Sequence, residues 1–278
     1  MVIPYDWRVR LLAKSPKWLT HIDNPTVTED HPYLHWESVA QLTPPKKLKP
    51  RTWWMLIKLR RAARFVPLSV TPQCSLQYFV TSSMFAKLRD LDAQLGPHST
   101  FVKHLAKFQA QALTSEALAC SQRSEPHDPS WLWSETEPLA EDQIQSWKAF
   151  QVLRWLVNHA HEPLTPSIIF KLHNQLLEDT QQETQSQPCP KGSKSELNAL
   201  CAFANNTEVI GYLHPWIRNI AVRFWFSQAT EILGPASVQL GHLISYWSAL
   251  RNGWPGYQLL PLSQTLQIAS KRHSRAME

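Results

Sequence analysis

The chain has 278 residues and a mass of 32.0 kDa, with 28 Lys and Arg against 22 Asp and Glu, a formal net charge of +6. With 43% hydrophobic residues it is too apolar for a disordered chain and too polar for a membrane bundle. Its seven glycines spell neither GxGxxG nor GxxxxGK[ST], which excludes nucleotide folds built on a Rossmann turn or a P-loop.

The N-terminal stretch MVIPYDWRVRLLAKSPKW carries charge and proline where a signal peptide needs an apolar run, and no stretch approaches the roughly 20 apolar residues of a membrane span. A cytoplasmic protein without membrane partners is expected. The four cysteines (Cys74, Cys120, Cys189, Cys201) form no CxxC pair and no His/Cys cluster with zinc spacing, so reduced thiols and no metal are expected.

From Ser38 to Arg89 there is no acidic residue, while Lys46, Lys47, Lys49, Arg51, Lys58, Arg60, Arg61, Arg64, Lys87 and Arg89 all fall there. Such a block attracts phosphate, in nucleic acid or in a nucleotide. A solvated face neutralised by the acidic middle of the molecule is the other reading of the same residues. Within it, Thr52–Phe65 reads as an amphipathic helix with Trp53, Leu56, Ile57 and Phe65 on its apolar side. Pro67 and Pro72 predict an irregular connection.

Further along, Met84–Leu95 reads as a helix stopped by Gly96-Pro97, and Phe101 to about Ser121 as a long alanine-bearing one. Gln143–His159 has one broad apolar side. Thr165 is placed to cap a helix whose first residue is Pro166. Thr180–Ser195 is polar and unpatterned. Helix returns at Glu196–Ala204, from Pro215 to about Ile232, and from about Val238 to Asn252, where Gly253 follows; Leu262–Ser270 reads as a short closing helix. With no sustained alternation of period two, the expected fold class is all-α with at most a minor β-hairpin.

The order of these segments resembles the Fic family, all-α proteins that transfer AMP from ATP onto hydroxyl groups of target proteins. Pro32–Ala62 is similar to the N-terminal stretch of one bacterial subgroup, and Glu116–Gln122 resembles the family's inhibitory helix. Leu164-Thr165-Pro166 with Leu172-His173 resembles its "LTP…LH" helix. His214–Arg218 with Phe224-Trp225-Phe226, and Tyr246–Gly253, are similar to the helices that enter and leave the active site. The resemblance implies a Fic-like helical bundle with an N-terminal extension. It divides the chain into a basic helical arm (1–75), a helical region with a degenerate inhibitory helix (76–135) and a Fic-like core (136–278).

The family signature is HxFx[D/E]GNGRxxR: a general base, a ligand for the metal on the nucleotide phosphates, a nest of N–H donors and cationic clamps. Counted from His214 by the family's spacing, Thr230 stands at the base position and Glu231 and Ile232 follow. Gly234, Pro235, Ala236, Ser237 and Val238 stand where DGNGR belongs, Val238 or Gln239 replaces the first arginine, and His242 falls at the last. Cys120, Ser121, Ser124 and Glu125 are the remnant of the inhibitory helix: Ser124 occupies the place of the glutamate, and Glu125 lies one residue late. The resemblance therefore implies a degenerate Fic protein without AMP transfer. It would be a binding or regulatory protein with a protein partner, needing no cofactor and offering nucleic acid the basic residues Lys46, Lys47, Lys49, Arg51, Arg60 and Arg61. The alternative is a divergent nucleotidyltransferase using Mg-ATP, with a site rebuilt from Glu231, Gln239 and His242.

Overall fold

Prolines or side-chain caps mark the starts of several helices, Pro50, Thr81, Thr165 and His214-Pro215 among them. The computed structural model describes residues 21, 24, 34, 36–121, 129–135, 140–177, 193–207, 212–234, 236–260, 262, 263 and 265. Among these the fold is all-α with one two-stranded hairpin. The chain separates into two compact units, one of Met1–Leu68 with Gln77–Leu88, the other of Ser69–Leu76 with Arg89–Glu278.

In the first unit, α1 (Trp36–Gln41) and a 3-10 turn at Pro45–Lys47 precede α2 (Pro50–Ala62). Pro50 opens α2, where a missing N–H goes unnoticed and the fixed φ is already helical. The buried positions of α2 are Trp53, Leu56, Ile57 and Arg61, spaced by three and four and hence on one face. The three apolar ones close a core with Leu34 and Val39, each such side chain contributing about 1.5–3 kcal/mol on full burial. Phe65, expected on that face, lies beyond the helix end, is 36% exposed, and meets Phe79 edge-on at 6.4 Å.

The expected irregular connection is instead the hairpin, β1 (Val66–Ser69) with β2 (Ser75–Tyr78). Pro72 follows Thr71, whose Oγ1 accepts the Cys74 N–H at 3.1 Å, and the Val70 N–H closes on the Cys74 carbonyl at 2.9 Å. Proline just inside a side-chain-braced turn is what lets two four-residue strands pair. Helix α3 (Ser82–Leu95) follows, its start capped by the Thr81 hydroxyl on the Met84 N–H and its end falling at Gly96, as its stop signal predicts.

The second unit continues with α4 (Thr100–Lys103), α5 (Leu105–Cys120), a 3-10 turn at Ser130–Trp133, α6 (Glu141–Asn158), α7 (Pro166–Leu177) and α8 (Ser193–Ala204). Then come α9 (Pro215–Gln228), α10 (Thr230–Leu233), α11 (Ser237–Arg251) and a 3-10 turn at Pro255–Leu259. Two helices expected to be continuous are broken. His104, at φ −100° and ψ 1°, separates α4 from α5, and Ala229, at φ −83° and ψ 20°, separates α9 from α10. Residues 178–192, which hold most of the polar Thr180–Ser195 stretch, and 266–270 lie outside the described residues.

Helix α11 is the axis of this unit, with Leu240, Leu243, Ile244, Tyr246, Trp247 and Ala249 all buried. It packs most extensively on α9 and also on α6, which in turn packs on α5. The close approach of α9 and α11 needs Gly241, because a Cβ there would stand 2.5 Å from the Cβ of Phe226. At the end of α11, Gly253 takes φ 82°, and N–H groups of Gly253 and Trp254 return to the carbonyls of Leu250 and Ala249. Those paired bonds satisfy the last carbonyls and stop the helix.

Candidate functional site

The Thr230–His242 segment, expected from the sequence to carry the site, holds α10, a turn and the first helical residues of α11. Gly234 ends α10 at φ 71°, a left-handed conformation that glycine adopts without penalty. Thr230 and Glu231 are exposed; Ile232, Gly234, Ala236 and Gln239 are half-buried; Val238 is 41% exposed. Pro235 lies outside the described residues. The sequence thus puts a hydroxyl, a carboxylate and an isopropyl group on the surface here, and one imidazole, His242, further along α11.

His242 belongs to a buried polar cluster formed by α5, α9, α11 and residue 263. Arg223 donates from Nη2 to His242 Nε2 at 2.8 Å; a guanidinium only donates, so the imidazole is neutral with its proton on Nδ1. That nitrogen lies 3.5 Å from Ser263 Oγ, and Ser263 Oγ donates to Glu116 Oε1 at 2.6 Å. The Ser263 backbone N–H reaches both oxygens of the same carboxylate, at 3.2 and 3.0 Å. Cys120 Sγ lies 3.7 Å from Glu116 Oε1 and 3.1 Å from Ser263 Oγ. The bonds run one way, from Arg223 through His242 and Ser263 to the carboxylate, so each donor feeds the next acceptor.

Burial dominates the electrostatics. It holds the Glu116 carboxyl above its ordinary value, against the pull of hydrogen bonds from Ser263 and Cys120 and of the Arg223 charge. Burial, then the Glu116 charge, pushes the Cys120 thiol well up, and the same two causes raise the hydroxyls of Tyr246 and Tyr257. Burial lowers Arg223, opposed by its acidic neighbours. A thiol held this high is inert as a nucleophile.

The cluster is not a hydrolytic triad. In a triad the carboxylate orients the imidazole and the imidazole serves the serine. Here the carboxylate holds the serine directly, the imidazole is held by an arginine, and Ser263 is 2% exposed. Its work is to tie residue 263 to α5, across 147 positions of sequence. The sequence singles out Cys120 and His242 as site positions and Glu116 only as the start of a helix motif; the partners Arg223 and Ser263 are not signalled. The available signal was Glu116 itself, a lone carboxylate among Leu113, Ala117, Leu118 and Ala119 on the buried side of α5.

Of the residues expected to be remnants of an inhibitory helix, Ser121 donates to the Ala117 carbonyl at 2.7 Å, while Ser124 and Glu125 lie outside the described residues. His214 caps α9: its Nδ1 accepts the Trp216 N–H at 3.2 Å and its Nε2 faces Asp92 Oδ2 at 3.0 Å, which fixes the tautomer. His173 Nε2 bonds the Leu233 carbonyl, so α7 holds the end of α10.

In the basic block, Lys47, Lys49 and Arg51 are exposed and Arg60 is half-buried; the Lys46 side chain lies outside what is described. Arg61 does not join them. It is 5% exposed and donates from Nη2 to the Leu34 carbonyl at 2.8 Å, because it follows Trp53 and Ile57 on the inward face of α2. Among the described residues, no group of three or more His, Cys, Asp and Glu could hold a metal ion, and no helix is long and apolar enough to cross a membrane. No family model, curated protein or solved structure matches the chain.

Proposed function

We propose that the chain is a degenerate Fic-like protein that has lost AMP transfer and works as a binding or regulatory protein for a protein partner. The observation that carries this is the engagement of His242, the imidazole of the Thr230–His242 segment, with Arg223 and Ser263. A general base must reach the proton it removes, and a neutral imidazole whose Nε2 already accepts from a guanidinium has no free lone pair. The remaining exposed residues of the segment, Thr230, Glu231 and Val238, offer no second imidazole and no cation for phosphate. The competing reading, a rebuilt nucleotidyltransferase site, requires Glu231, Gln239 and His242 to act together, whereas Glu231 is exposed and His242 serves the buried cluster.

Nucleotide binding separates the two. A ligand at about 100 times its dissociation constant stabilises a fold by roughly 2.7 kcal/mol. Melting the protein with and without millimolar Mg-ATP is expected to give superimposable curves; an upward shift of several degrees contradicts the proposal.

A further inference from the structure

The net positive charge of this molecule resides in one unit. Met1–Leu68 with Gln77–Leu88 contain 13 Lys and Arg against 5 Asp and Glu, 13 − 5 = +8, and the whole chain is +6, so the other unit carries 6 − 8 = −2. Glu37 is the one carboxylate among the described residues of the first unit. Aromatic rings stand among its cations at two places. At the first, Trp36 (40% exposed) and Trp54 lie 6.4 Å apart, with Lys58 Nζ 5.5 Å from the centre of the Trp54 ring. At the second, Arg64 lies 4.7 Å over Phe79, which Phe65 meets edge-on. Lys47, Lys49, Arg51 and Lys87 are exposed in the same unit.

We propose that this first unit binds single-stranded nucleic acid, its cations tracking phosphates and its Trp36/Trp54 and Phe65/Phe79 pairs receiving bases. Rings interleaved with cations are the chemistry of sequence-tolerant single-strand binding, because every base has a face to stack. An anionic membrane also attracts cations, but surface insertion needs a helix with a free apolar face. The apolar face of α2, Trp53, Leu56 and Ile57, is already closed against Leu34 and Val39. The charge imbalance lies in this unit alone, so the inference stands whether or not AMP transfer has been lost.

The test is fluorescence polarisation of the full chain with labelled 20-nucleotide oligo-dT and oligo-U, beside a duplex of equal length and vesicles of equimolar phosphatidylserine and phosphatidylcholine. Single strands should bind more tightly than duplex or vesicles. Engaging four phosphates gives a slope of about −3 in log affinity against log salt, hence roughly 50-fold weaker binding from 50 to 200 mM salt. Lys49→Glu with Arg51→Glu, removing two of the four phosphate contacts, should flatten that slope by about 1.4. Trp36→Ala should weaken binding about tenfold at an unchanged slope. Both variants are melted first, and the charge variant, at exposed positions, decides the outcome if the tryptophan variant does not fold. Binding to vesicles or duplex at least as tight as to single strands, no binding to either oligonucleotide, or an unaltered slope in the charge variant each overturns the proposal.

Discussion

Replacing Glu116 by alanine is expected to destabilise the second unit by on the order of 3 kcal/mol, which lowers its melting temperature by roughly 6–12 °C. The carboxylate receives both the N–H and the hydroxyl of Ser263 and lies in the field of the half-buried Arg223. Removing it strands the Ser263 N–H and hydroxyl donors, where each orphaned group costs about 1–3 kcal/mol. Thermal unfolding followed by circular dichroism checks this, and a change under 1 kcal/mol contradicts the assigned role.

The same residue gives stability a pH dependence with a definite sign. Burial raises the Glu116 carboxyl above its ordinary value, so between those two values the folded chain holds a proton that the unfolded chain has released. Its contribution is fully present below the ordinary carboxylate value and is lost as the pH rises through the raised one. Glu116→Gln cannot titrate, so in urea titrations at successive pH values the stability difference, wild type minus variant, should fall as pH rises through that window. A difference that grows with pH would reverse the sign and reject the electrostatic account.

Gly241→Ala is the second large effect, expected to cost about 2 kcal/mol. The added methyl would stand 2.5 Å from the Phe226 Cβ, an atom that no side-chain rotation can move away. Relief therefore requires α9 and α11 to separate, and overpacking of this kind costs typically 1–3 kcal/mol. Gly253→Ala tests a different cost, because Gly253 has open space around it and only its φ of 82° to defend. The pair distinguishes helix spacing from backbone conformation: a Gly241→Ala protein as stable as wild type would show that the two helices are not in tight register.

Helix starts were legible because their signals are local. Thr165-Pro166 and His214-Pro215 each place a cap beside a proline, and Thr165 Oγ1 does accept the Ile168 N–H at 3.3 Å. Gly253 marks the end of α11 by the same local chemistry. The hairpin was less legible, since Pro67 and Pro72 suppress a strand reading and each strand has only four residues. Arg61 was misplaced because charge was weighed before register; its spacing from Trp53 and Ile57 already put it on the buried face. The union of Glu116 with Ser263 had no local signal, since nothing in either neighbourhood specifies a partner 147 residues away.

The Thr230–His242 segment carries the functional proposal, and its chemistry can be tested directly. Incubating the purified chain with magnesium and ATP labelled on its α-phosphate, alone and with cell extract, should leave every polypeptide unlabelled. Label covalently attached to this chain or to any other, and absent when the chain is omitted, would contradict the loss of AMP transfer.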